Sequence, residues 1–486
     1  MNFEQRLKPV LLALAVAGLM GNFSVAMAAD AEPAEQPHAP SENAASADKA
    51  LRVQYVPESF KNQLREEIKL EVMAQAKGEG WAVPGVQPQW LDRIALDGDM
   101  RLRYQRDMYA AGNETPLNLA VQGTSINNTS EDINRLRLRA RLGVRYKVAD
   151  TISGGLRLTT GSAGDPVSPN QTLGGDYSSS SKFAFGLDRA YIKYVALPWL
   201  TVSGGRIENP WLSTDLVWDP DYAFDGVAAA MRHKFGETLS GFATLGAFPI
   251  QQVERNGNTV LAKSRWLYGA QAGGEWISEN LSAYKVGLGY YDFTNIQGVV
   301  NDLNATSQNL TARQFHQKGN TVFDITNPAV DPTKDLYGLA SKFRELNLTA
   351  SADIAAFNPV HVVLSGDYVK NIGFKASEVQ ALNPVSPIGG NTGWMAKLLV
   401  GMPETTHMGD WNVFGAYKHL ETNAVLDAFT DSDFHLGGTN AKGWIVGGNY
   451  GLDKNTWLNV RWFSADEIVG VPLAIDVLML DFNAKF

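Results

Sequence analysis

Arg135-Leu-Arg-Leu-Arg-Ala-Arg-Leu-Gly-Val-Arg-Tyr-Lys147 is the stretch that decides the fold. Its even positions are Leu136, Leu138, Ala140, Leu142, Val144 and Tyr146, and its odd positions are Arg135, Arg137, Arg139, Arg141, Gly143, Arg145 and Lys147. Successive side chains of a β-strand point to opposite faces, so this segment is a strand with one apolar and one cationic face. The same alternation sets Leu346, Leu348, Ala350, Ala352 and Ile354 against Glu345, Asn347, Thr349, Ser351 and Asp353. It returns in Val360, Val362, Leu364 and Tyr368 against His361, Ser365 and Asp367. All three segments sit between two unlike surroundings.

Extended along the chain, the period predicts sixteen strands: 94–106, 133–148, 151–161, 183–196, 200–208, 226–235, 240–250, 266–278, 282–296, 344–357, 360–372, 393–403, 409–422, 443–453, 456–467 and 475–486. Short connections alternate with long polar ones, which places the two kinds on opposite rims. Trp199, Trp276, Trp411 and Trp457 stand beside short connections, while Trp266, Trp394 and Trp444 open strands that follow long loops. An even strand count, unequal rims and two aromatic girdles point to an all-β fold, a transmembrane antiparallel up-and-down β-barrel of about 16 strands over 90–486. Closure leaves no unpaired edge for hydrocarbon to penalise. A cylinder of this size is too wide for its own wall to fill, so its interior is expected to hold water.

The 486 residues carry 42 basic and 51 acidic side chains, a formal net charge of −9, and no cysteine. Disulfide scaffolds, thiolate metal sites and cysteine nucleophiles are thereby excluded, and the acidic balance argues against nucleic acid as a partner. No apolar run beyond the N-terminus approaches the roughly 18 residues that a spanning helix needs. Residues 1–28 read as a secretory signal, with Arg6 and Lys8, the apolar stretch Val10 to Met20, and Ala26-Met27-Ala28 as the cleavage site. Residues 29–55 read as a flexible linker. Within 56–78, Phe60, Leu64, Ile68 and Val72 recur at four-residue spacing behind Pro57-Glu58, which predicts a short amphipathic helix in the periplasm before the barrel.

Parity turns Arg101, Arg103, Arg135, Arg137, Arg139, Arg141, Arg145, Lys147, Arg157, Arg189 and Lys193 toward the lumen of the first strands. These side chains either form a basic pore lining or pair with Asp97, Asp99 and Asp188 to stiffen the wall. Glu275, Glu345, Asp353 and Asp367 are the lumenal acids of the far strands. The third long loop carries Glu208, Asp215, Asp219, Asp221 and Asp225 without a base, together with Trp211, Trp218, Tyr222 and Phe224. Aromatic residues on a loop need cover, so this loop is expected to fold inward, bring its acids to the arginines and constrict the channel. Opposed charges across a narrow, low-dielectric passage focus a field that sorts ions. Calcium is an alternative use for Asp219, Asp221 and Asp225, though the helix-loop-helix spacing of a calcium hand is absent.

Three further stretches carry a family likeness: Val56-Pro-Glu-Ser-Phe-Lys-Asn-Gln-Leu-Arg-Glu-Glu-Ile-Lys69; Trp90-Leu-Asp-Arg-Ile94 with Gly98-Asp-Met-Arg-Leu-Arg-Tyr104; and Gly204-Gly-Arg-Ile-Glu-Asn-Pro-Trp-Leu-Ser-Thr-Asp-Leu-Val-Trp218. With the terminal Phe486, the chain resembles the putative porin family of Gram-negative outer membranes. The resemblance implies a transport barrel, often trimeric, whose last strand and Phe486 act as the signal to the barrel-assembly machinery. It implies no particular solute, and the Pro-Glu-Phe-Gly-Gly type of constriction motif found in general porins is missing here.

The function expected is passive diffusion of small hydrophilic solutes or ions across the outer membrane, with a modest preference for anions and no cofactor or metal. Two competitors are weaker. A Ser/His hydrolase on a barrel would have to use His361 near Ser365, where a polar pore residue is the simpler role. An envelope tether would use the N-terminal helix and keep the barrel only as an anchor.

Overall fold

The computed structural model describes residues 93–116, 126–175, 180–254, 261–327, 335–384 and 387–486. The expected signal, linker and N-terminal helix lie outside them. Sixteen strands form the wall: β1 Ile94–Tyr109, β2 Ile133–Lys147, β3 Ile152–Thr159, β4 Gly186–Leu197, β5 Leu200–Ile207, β6 Phe224–Phe235, β7 Leu239–Gln251 and β8 Arg265–Ile277. They continue as β9 Ala283–Thr294, β10 Phe343–Phe357, β11 Val360–Asn371, β12 Thr392–Gly401, β13 Trp411–Leu420, β14 Ala441–Asp453, β15 Thr456–Glu467 and β16 Ala474–Lys485. Each strand pairs antiparallel with its neighbours in sequence, and β1 pairs with both β2 and β16, which closes the sheet.

The strands begin and end close to where the alternation places them. β3 departs most. It stops at Thr159, and the two-residue strand Gln171–Thr172 takes up the pairing beside Arg137 and Leu138. The cause is local: Gly161 has a φ of +112°, and Pro166 and Pro169 follow within the same excursion.

The eight long loops, L1 to L8, are 110–132, 160–185, 208–223, 252–264, 295–342, 372–391, 421–440 and 468–473. The turns on the opposite rim are shorter, save 402–410, which is longer than L8. Apolar side chains face outward, for example Met100 and Leu102 on β1, Leu136 and Leu142 on β2, and Leu480 and Phe482 on β16. Trp199, Trp276 and Trp411 are exposed at the short-turn rim, and Trp394 and Trp444 at the long-loop rim. Trp276 stacks on Tyr284 at 5.1 Å and Trp394 on Tyr417 at 5.3 Å, as flat rings do in a girdle.

The inner face is polar, yet the lumen is far from empty. Trp211, Leu216, Trp218 and Phe224 of L3 and the start of β6 join Val425, Leu426 and Phe429 of L7 in one buried cluster. That cluster rests on Phe248, Leu267, Tyr291, Phe293 and Phe343 of the inner wall. The apolar core therefore sits inside the cylinder on one side, and the arginine-bearing strands face it from the other.

Candidate lumenal constriction

Backbone register builds the basic wall. Arg101 lies opposite Arg139, and Arg103 opposite Arg137, in the β1–β2 ladder. Like charges facing one another destabilise a sheet, so they require acids from elsewhere. On the third neighbouring strand, Arg103 makes a two-pronged bond to Asp481 at 2.7 and 2.9 Å, and it reaches Asp433 of L7 at 3.0 Å. Asp433 also binds Arg461 at 3.1 Å. Burial works to raise the Asp433 carboxyl, but the guanidiniums of Arg103 and Arg461 override it and hold the group well below the usual carboxylate range.

Asp99 serves two arginines, Arg139 at 2.8 Å and Arg141 at 2.7 Å. Asp221, from L3, meets the same pair from across the lumen, at 2.7 Å from Arg141 and 3.6 Å from Arg139. Asp107 binds Arg135, Asp97 binds Arg145 at 3.0 Å, Asp150 binds Lys147 at 3.0 Å, and Asp188 binds Arg157. Arg189 pairs with Glu208 at 2.9 Å, and Arg206 with Asp225 at 2.9 Å. Asp97, Asp99 and Asp188 are thus each paired with an arginine of the wall. Two arginines differ from the rest. Arg101 bonds the amide oxygen of Asn170 at 2.5 Å and Arg137 that of Gln105 at 3.1 Å, so their side-chain partners are neutral. Lys193 is half-buried and makes no ion pair among the described residues.

L3 enters the barrel at Gly205 and Gly226, which face each other in the β5–β6 ladder with φ of +115° and +145°. A side chain at either would lie 2.3 Å from a carbonyl oxygen of the adjoining strand, so only glycine lets the strands bend here. The loop then crosses to the far wall. Leu212 exchanges two 2.8 Å bonds with the Gln271 amide on β8, and Thr214 donates to Asp367 on β11 through Oγ1 at 2.7 Å. Lys418 on β13 donates to the Asp215 carbonyl at 3.0 Å. Trp218 and Tyr222 stack at 6.0 Å, and Tyr222 lies 4.6 Å from Phe429 of L7.

The carboxylates of Asp219, Asp221 and Asp225 do not converge on one point. Asp221 and Asp225 bind arginines, while Asp219 accepts from the Ser432 amide of L7 at 2.9 Å. Burial, then the nearby charges of Asp221 and Asp431, push the Asp219 carboxyl well above its ordinary range. No group of carboxylates and histidines among the described residues is arranged to hold a metal ion.

The far-wall acids occupy the inner face in different states. Glu275 is held by Arg232 and, at 3.0 Å, by Lys285. Asp353 binds His361 at 2.6 Å, so that histidine is engaged by an acid and not by Ser365. Glu345 is 1% exposed and Asp367 is 4% exposed. Both, and Arg103 at 0%, are buried and do not line open water, a correction to their expected place on the pore surface.

Sequence reasoning missed L7. Asp219 donates its amide to the Phe429 carbonyl at 2.7 Å, and Thr430 donates to the Leu216 carbonyl at 2.9 Å. L5 locks behind it: the Asn320 amide donates to the Thr422 and Val425 carbonyls at 2.7 and 2.9 Å and accepts from the Asp427 amide at 2.8 Å. Gln317 adds bonds to the Asp427 and Thr430 carbonyls. The signal was present in Val425, Leu426, Phe429 and Phe434, apolar residues on a loop that need cover as much as those of L3.

At the seam, Phe486 exchanges backbone bonds with Gly98 at 3.0 and 3.2 Å. A Cβ at Gly98 would stand 2.5 Å from the Phe486 ring.

The chain is similar in shape to three solved structures at low identity. OprB of Pseudomonas putida, in its high-pH structure, aligns with a TM-score of 0.47 and 12% identity, over 82% of this chain and 96% of that one. The outer membrane channel DcaP of Acinetobacter baumannii aligns with a TM-score of 0.42 and 11% identity, over 81% and 97%. A loop-deletion mutant of OmpT, an outer membrane protein of Vibrio cholerae, aligns with a TM-score of 0.42 and 9% identity, over 81% and 100%. No curated protein matches the chain in sequence. The profile of one family, described as putative porin, matches residues 20–486. A closed barrel with an apolar exterior, an ionic interior and a loop folded across it thus accords with the sequence match, and the chain belongs to the putative porin family.

Proposed function

We propose that this protein is an outer-membrane porin that lets small hydrophilic solutes or ions diffuse passively through its barrel, with L3 as the constriction and a modest preference for anions. The observation that carries the reading is the path of L3. It leaves β5, crosses to Asp367 and Lys418 on the far wall, and returns Asp221 to Arg139 and Arg141. A loop so anchored divides the lumen into a packed aromatic side and a polar side lined by fixed charges. Ions passing the polar side meet opposed acids and arginines in a low-dielectric setting, where a field orients and sorts them. The lean toward anions rests on Arg101 and Arg137, whose charges no carboxylate directly neutralises.

The apolar outer band and its tryptophans support a place in the outer membrane. A secretory signal at 1–28 would direct export, and an amphipathic helix at 56–78 would lie in the periplasm. The last strand and Phe486 would be read by the barrel-assembly machinery, and the barrel would assemble as a homotrimer. Swelling of liposomes containing the purified protein, with neutral sugars of increasing size, tests the reading. Entry of small sugars with a sharp size limit supports it, and impermeability to all of them contradicts it.

A further inference from the structure

Four cations gather where L4, β9, L5 and β10 meet at the long-loop rim. Lys263, Lys342 and Arg344 line an open cleft of about 570 Å³, together with Asp292 and Thr294. Lys370 stands beside it on β11, opposite Leu346 of β10. Phe293 and Phe343, which also line the cleft, turn inward and are buried, so Asp292, Thr294 and Arg344 project outward by strand parity. The acids nearby are fewer than the bases. Asp292 lies 3.4 Å from Arg344, and Glu378 lies 3.4 Å from Lys342 while also binding Lys375 at 2.7 Å. Lys263 and Lys370 have no acidic partner among the described residues. By contrast, the rim at β1 and β2 is balanced by the exposed pair Arg106–Asp132 at 2.9 Å.

Immediately below these cations runs the girdle, with Tyr290 two residues from Asp292, Tyr368 two residues from Lys370, and Trp394 opposite Tyr368. Leu346 and Leu348 lie level with Tyr290 and Tyr368, and below the girdle Leu288 and Leu364 are exposed and apolar. Cationic, aromatic and aliphatic zones are thus stacked in the order that an anionic lipid presents as phosphate, interface and acyl chain. We propose that this cleft docks the phosphorylated headgroup of an outer-leaflet glycolipid, its acyl chains lying on the leucine face. The proposal rests on the outer-membrane reading given above and adds a ligand that the pore does not use.

The test compares the full-length protein with a K263Q/K342Q/R344Q/K370Q variant, in detergent, by native mass spectrometry. The probes are a diphosphorylated glycolipid, its dephosphorylated form and inorganic phosphate. Each cation near an anionic lipid surface contributes about 1 kcal/mol, or roughly fivefold in affinity, so the variant should bind the diphosphorylated lipid at least about tenfold more weakly. The dephosphorylated lipid should bind wild type with a similar loss, and inorganic phosphate at equal concentration should displace nothing. Equal binding by variant and wild type overturns the inference, as does equal binding of the two lipids or displacement by inorganic phosphate. Bilayer conductance and heat-modifiable migration of the variant should match wild type, which shows a folded barrel and keeps this test separate from the porin reading. A conducting wild type that retains no lipid overturns the lipid site alone.

Discussion

Asp221→Asn isolates the contact that joins L3 to the basic wall. The substitution keeps the shape of the side chain and removes one negative charge, 2.7 Å from Arg141 Nη1 and 3.6 Å from Arg139 Nη1. All three side chains are less than a fifth exposed, so solvent screens the pair only in part. A hydrogen bond to a charged group contributes about 1.5–3 kcal/mol, and an amide oxygen recovers part of it, so roughly 2 kcal/mol of L3 anchoring is at stake. That shifts the balance between seated and loosened loop by about thirtyfold. L3 stays inside the barrel because Trp218, Tyr222 and the L7 bonds are untouched. Its tip loosens, and Asp99 alone then faces two arginines. Single-channel recording in a planar bilayer under a KCl gradient should show noisier openings and a reversal potential displaced toward anion selectivity. A quiet trace with an unchanged reversal potential, or a displacement toward cations, would refute the role given to Asp221.

Arg101→Gln with Arg137→Gln should move the reversal potential toward cations more than Arg157→Gln does, because only the first two have neutral side-chain partners; equal shifts in the same recordings contradict this. Gly98→Val should impair barrel closure, since its Cβ would meet the Phe486 ring and the Arg141 carbonyl, and a fall in the heat-modifiable folded fraction on gels checks it. Burial pushes the Asp427 carboxyl up to about 6, against an ordinary 3.8. Between those values the seated loop keeps the proton that a released loop would lose, so the L5–L7 lock is firmest near the lower pH and weakens as pH rises through 6, by about 3 kcal/mol if the whole shift counts. Amide exchange of 421–440 should quicken over that range in wild type and lose this pH dependence in Asp427→Asn.

The wall was legible because its signal is long and repetitive. In Arg135 to Lys147 every second residue reports the same face, and β3 ended early where Gly161 and two prolines interrupt it. Inward folding of L3 could be argued from Trp211 and Trp218, residues too large to leave in water. The pairing of Arg139 and Arg141 with Asp99, or Arg157 with Asp188, lies between adjacent strands and follows from register. What could not be read was contact between distant segments. Arg103 meets Asp481 by register across the closing seam, but its second partner, Asp433 of L7, lies hundreds of residues away, and no local pattern marks that match. L7 carries Val425, Leu426 and Phe429 among Thr, Asp and Asn without any period, so its apolar residues gave no strand or helix signal. Its partner L5 holds it through Gln317 and Asn320, side chains that in sequence look like an ordinary polar loop. Burial of Glu345 and Asp367 follows from those insertions and was equally hidden.

Central to this account is a continuous, water-conducting path beside the L3–L7 plug, lined by fixed charge. Conductance of the purified protein in a planar bilayer under a KCl gradient tests it most directly. Discrete, ohmic single-channel steps with a reversal potential of anionic sign are the predicted result. A folded, heat-modifiable barrel that inserts and passes no current would contradict it.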